Sequence, residues 1–146
     1  MQVAGLAVSL AVSLAGCNDL RDFHGTWRGA RVGDAPVLRV GVAPRTTATL
    51  VVDALDTHGL SGELSVDGLV TSAPFVSLAG AEADVLSGMS FNGAPLRVYL
   101  AFLALPDGGG EALAVIALYQ DHRMEVRLLR GGGQPIYAIF ALTQIP

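Results

Sequence analysis

Lysine is missing from this chain of 146 residues, and its nine basic residues are all arginine. Thirteen acidic residues outnumber them, for a formal net charge of −4. Such a balance supplies no basic patch, which excludes nucleic acid as an expected partner and leaves no polybasic stretch to hold anionic lipid. The single cysteine, Cys17, excludes an internal disulfide, so burial and backbone hydrogen bonds must hold the fold. The nine aromatic residues (one Trp, three Tyr and five Phe) form no girdles of the kind that flank a transmembrane β-barrel. No apolar run reaches the roughly 20 residues that carry a helix across a bilayer. Nor does any helix-length stretch keep a 3.6-residue apolar period.

What is present begins with an apolar segment, 3–14, broken only by Gly5, Ser9 and Ser13. Ala15 and Gly16 follow, then Cys17 and an abrupt polar switch through Asn18, Asp19, Arg21 and Asp22. An apolar core ending in small residues is the pattern of a secretory leader, although Met1 and Gln2 bring no basic residue to its start. The run Leu14-Ala15-Gly16-Cys17 resembles the lipobox of bacterial lipoproteins. That resemblance implies a diacylglyceryl group on the Cys17 sulfur, cleavage between Gly16 and Cys17, and a mature protein held to a membrane by its first residue. Asn18, where an aspartate would retain such a protein at the inner membrane, implies the outer membrane. The expected organisation is a signal peptide over 1–16, a lipidated tether over 17–24, and one domain over 25–146. Each buried methylene of an acyl chain contributes ~0.8 kcal/mol, so a multiply acylated cysteine is a firm anchor. A fully extended tether from Cys17 to Phe23 reaches about 25 Å, which keeps the domain close to the lipid.

The remainder suits one domain with one core. Its 51% apolar and 15% charged composition, part of it the leader's, excludes disorder. Short β-prone runs recur, separated by turn residues, at the spacing of all-β folds. Candidate strands cover 26–32, 37–42, 47–54, 60–66, 69–78, 85–91, 96–105, 112–119, 123–130 and 136–143. Asp67-Gly68 and Asn92-Gly93 suit tight hairpin turns, since these residues tolerate positive φ. The stretches 107–110 and 131–134 suit longer hairpin loops, 120–122 a connection, and 79–84 a helical turn or loop. The expected fold is therefore all-β: an antiparallel meander of about eight to ten strands forming a small barrel or sandwich.

The run 123–128 alternates charged and apolar residues. It predicts Met124, Val126 and Leu128 inside, with Arg123, Glu125 and Arg127 in water as a ladder worth a few tenths of a kcal/mol. By contrast 96–105 and 112–118 are apolar on both faces. They need a second layer, or they leave an apolar outer patch for a partner or a membrane.

Gly25-Thr26-Trp27, after Phe23-His24, resembles the Gly-x-Trp signature of lipocalin-like barrels. The resemblance implies a tryptophan that closes the barrel floor beneath a basic residue from a late strand, here Arg127 or Arg130. It also implies an apolar ligand cavity, with Trp27 and Arg127 as candidate ligand-binding residues. Asp56-Thr57-His58 and Asp121-His122 set carboxylates beside imidazoles, but in turn regions, and no spacing predicts the converging ligands of a metal site. No nucleophile elbow or phosphate-cradling glycine motif is present, so no catalytic residue, metal or cofactor is expected. The function expected is non-enzymatic: an exported lipoprotein, joined to the membrane through Cys17, that binds or structures the cell envelope. Its partner would be an envelope protein or an apolar small molecule. The alternatives are a lipocalin-like carrier and, behind it, a hydrolase using His58 or His122 with a neighbouring aspartate.

Overall fold

The computed structural model describes residues 20–32, 42–43, 45–78, 89–106, 108–132 and 135–146. After a 3-10 turn, Leu20–Phe23, come eight strands: β1 (Gly25–Val32), β2 (Thr47–Leu55), β3 (Leu60–Val66), β4 (Val70–Val76), β5 (Arg97–Ala104), β6 (Glu111–Tyr119), β7 (Arg123–Arg130) and β8 (Ile136–Gln144). They match eight of the ten candidate segments. Of the other two, 37–41 and 85–88 lie outside the described residues, while Val42 and residues 89–91 are not strand. The candidate turn over 79–84 also lies outside.

All pairings are antiparallel, and the sheet order is β4-β3-β2-β1-β8-β7-β6-β5. Each strand except β4 and β5 pairs with both of its chain neighbours or, for β1 and β8, with each other, so the meander curls into a barrel rather than a sandwich. Residues 25, 27 and 29 of β1 share the inner face with Val52, Leu50 and Ala48 of β2. Gly29 and Gly62 sit on this face where neighbouring backbone crowds in. A Cβ on Gly29 would stand 1.7 Å from the Ala141 carbonyl oxygen, and one on Gly62 1.9 Å from that of Val51. Only glycine permits so sharp a coil there.

The seam between β4 and β5 is nearly shut. The Leu78 N–H donates to the Leu100 carbonyl at 2.7 Å, beyond the end of β4. Further along, Pro74 stops the zipper. The Ser77-to-Leu60 hydrogen bond makes the Glu63–Pro74 pair a non-hydrogen-bonded one, so the Pro74 nitrogen faces the seam with no hydrogen to donate. Ser72, at φ 44, and a register shift between Leu64 and Val66 bend the same strand away.

Inside, Trp27, Leu50, Leu64, Leu103, Ile116, Val126, Leu128 and Phe140 are wholly buried. A hollow barrel would leave such inward side chains accessible to water, so this part of the interior is filled by its own side chains. Met124, Val126 and Leu128 face inward as the alternation of β7 requires.

The outer wall has two characters. On β1 to β3 it is polar, with Arg28 and Glu63 exposed, which does not suit a lipid-facing belt. On β5 to β7 the outward residues Leu100, Val115, Ala117 and Tyr119 are buried as well. Residues 89–96 lie over this wall: the Leu96 N–H donates to the Leu118 carbonyl, and Arg127 donates to the Ser90 carbonyl at 2.6 Å. Asn92-Gly93, expected to turn a hairpin, bends this covering segment instead, with Gly93 at φ 104. The cover also overturns the expected water-facing ladder, because Glu125 and Arg127 are only 8% and 6% exposed. Strand alternation assigned them correctly to the outer face, but the outer face here is not solvent.

Candidate functional site

The floor of the barrel is built around Trp27. Its Nε1–H donates to the Phe23 carbonyl at 3.0 Å, and the two rings stack with centroids 5.6 Å apart. The 3-10 turn thus folds back under β1 and places Phe23, fully buried, in the core. The third ring is His122, 5.0 Å from Trp27 and 5.3 Å from Phe23. It projects from the β6–β7 turn at φ 58, a left-handed conformation uncommon for a side-chain-bearing residue.

Gln144, at the end of β8, locks this arrangement. Its amide nitrogen donates to the carbonyls of His24 (2.7 Å) and Asp22 (3.3 Å). Its Oε1 therefore faces His122 Nε2, 2.9 Å away, and the imidazole must carry its hydrogen on Nε2.

The basic residue over the tryptophan is thus a histidine from a turn, not Arg127 or Arg130 from the late strand. Arg127 lies on the outer wall with its guanidinium 4.6 Å from the Phe91 ring centroid, paired with Glu125. Parity excludes it from the indole, since Val126 and Leu128 take the inner positions of β7. Arg130 donates to the Gly109 carbonyl at the opposite end. Trp27 and Arg127, the two candidate ligand-binding residues, are therefore on opposite sides of the wall. His122 went unnoticed as a floor residue because nothing in its sequence neighbourhood links it to Trp27; only the β6–β7 turn brings it there.

The histidine–aspartate pairs have other occupations. Asp56 Oδ1 accepts the backbone amides of His58 (2.7 Å) and Gly59 (2.8 Å), which hold its carboxyl below the ordinary range, and it caps the β2–β3 turn. Asp121 pairs with Arg123 rather than with His122, and this bond raises the Arg123 guanidinium further. Among the described residues, no three His, Cys, Asp or Glu side chains converge on a metal position. No described helix is long and apolar enough to cross a membrane. Gly16 and Cys17 lie outside the described residues.

Two depressions flank the β4 strand. One, of about 330 Å³, lies at the floor end between the β2–β3 turn and the end of β4, beside Asp56, His58 and Val76. The larger, of about 620 Å³, opens at the far end of the seam, between Leu69, Val70, Ala73 and Pro74 on one side and Ala104, Leu105 and Pro106 on the other. Pro74 is what keeps this second groove open.

Comparison with protein-family models, curated proteins and solved structures finds no match to this chain.

Proposed function

We propose that this chain is an exported lipoprotein, anchored in the cell envelope through an acylated Cys17, whose barrel serves as a non-enzymatic binding or structural module. The observation that carries the reading is the sole cysteine, set directly behind Ala15-Gly16 at the end of the apolar run and three positions before Leu20, where the 3-10 turn under Trp27 starts. A cysteine so placed suits a lipid anchor and has no second thiol to meet. Of the side chains that the hydrolase alternative would use, Asp56 is held in a turn, Asp121 by Arg123 and His122 by Gln144, which supports the non-enzymatic reading. Asn18 favours the outer membrane over the inner. Replacement Cys17→Ser, followed by membrane fractionation and metabolic palmitate labelling, tests the anchor. Loss of label and release from the membrane are expected; label retained or partitioning unchanged overturns the reading.

A carrier of an apolar small molecule is the second reading, and the seam groove of about 620 Å³, with its apolar Leu69, Val70 and Leu105, is what favours it. Native mass spectrometry of the protein lacking residues 1–17 distinguishes the two. A co-purifying lipid supports the carrier; none, with no uptake of added fatty acid, removes it.

A further inference from the structure

We infer that the barrel stands on the lipid surface on its floor end, so that this end is a membrane-contacting face and the seam groove opens away from the bilayer. The inference rests on the lipid-anchor reading and adds to it which surface meets phospholipid. The 3-10 turn that packs under Trp27 starts at Leu20. Two residues, Asn18 and Asp19, separate it from Cys17, so three Cα steps give a reach of about 11 Å even when fully extended. A strand of eight residues is about 26 Å long, so in an upright pose the far end stands about that far from the lipid.

The exposed apolar residues are distributed in the same sense. Strands β4 and β8 both end at the floor. Val76 (73% exposed) closes β4, Leu78 (37%) follows it, and Ile145 (42%) follows β8. Among the described residues Val32 is comparably exposed at the far end, and Phe102, sixth of the eight residues of β5, lies on the wall toward it. A single apolar side chain on a surface means little, but three at the rim nearest the anchor match the headgroup–acyl boundary. The floor also carries Arg21, Asp22, His24, Asp56, His58, Asp121, His122 and Arg123, of both signs, which suits zwitterionic phospholipid heads rather than a strongly anionic surface. In this pose the groove beside Leu69 and Leu105 faces the aqueous compartment, open to a ligand or an envelope partner.

Because acylation caps Cys17, one introduced cysteine is the only free thiol in the full lipidated protein. Pro146→Cys marks the floor, Gly131→Cys the far end (exposed, with open space around its Cα), and Phe102→Cys the wall. Each variant carries a fluorophore in phosphatidylcholine vesicles containing a headgroup nitroxide lipid. Quenching several-fold stronger at position 146 than at 131, with 102 between, is expected. Equal quenching at 146 and 131, or strongest quenching at 102, overturns the upright pose while leaving the anchor intact. Labelling of the unsubstituted protein at Cys17, or failure to float with the vesicles, overturns the anchor itself and the pose with it.

Discussion

Glu125 and Arg127, two residues apart on β7, form an ion pair on the outside of a barrel wall, yet their side chains are only 10% and 7% exposed. Residues 89–96 roof them over, and Arg127 reaches into this roof to hold the Ser90 carbonyl and the Phe91 ring. The pair thus clamps residues 89–96 to the wall. A ladder in water would contribute only tenths of a kcal/mol. A buried pair costs desolvation that its mutual attraction and hydrogen bonds must offset, so losing one partner weighs far more than losing both.

Arg127→Ala is therefore expected to destabilise the domain by about 3–5 kcal/mol, because it leaves the Glu125 carboxylate buried without its partner. The double replacement Glu125→Met with Arg127→Met should recover most of that loss. Urea unfolding of the two variants beside the wild type measures the difference. Equal losses in both would mean the charges matter less than the packing of the Arg127 stem.

Tyr119, beside the pair, is 2% exposed, and among the described residues its hydroxyl has no hydrogen-bond partner. Tyr119→Phe removes an unsatisfied buried group and is expected to raise stability by about 1 kcal/mol. Burial, then the Glu125 charge, push the phenol above its ordinary value of 10.0, against the weaker pull of Arg127 and Arg123. The folded protein then holds this proton at pH values where the unfolded chain releases it. Stability from this source is complete below pH 10.0 and falls as the pH climbs through the folded value. Urea midpoints should accordingly drop more steeply above that pH in the wild type than in Tyr119→Phe, and parallel curves would contradict the assignment.

His122 against Trp27 offers an optical readout, since Trp27 is the only tryptophan. His122→Asn keeps the left-handed turn but removes the ring that stands 5.0 Å from the indole. At one fixed pH, Trp27 emission is expected to differ in intensity between this variant and the wild type. Superimposable spectra would show that the imidazole does not influence the indole.

Much of the barrel was legible along the chain. Eight strands match runs visible as β-prone segments, and the alternation of 123–128 assigned every side chain to its correct face. The Gly25-Thr26-Trp27 step announced a tryptophan at the floor of a barrel, and Trp27 is there. Two of the failures share one reason. Glu125 and Arg127 were assigned to water because period-two alternation says which face a residue takes and nothing about what lies on that face. The same gap hid His122, which sits opposite Trp27 only because the β6–β7 turn and β8 meet beneath the 3-10 turn.

Local chemistry alone settled the order of strands, their faces, the turns at Asp67-Gly68 and 120–122, and the polar switch at Cys17, because propensity, alternation and turn residues act over a few neighbours. Closure of β1 on β8, the seam held ajar at Pro74, the roof over the Glu125–Arg127 pair and the His122–Gln144 lock arose only on folding. Each depends on groups distant in sequence being brought within hydrogen-bonding or van der Waals reach, where burial changes what a charge or a ring is worth.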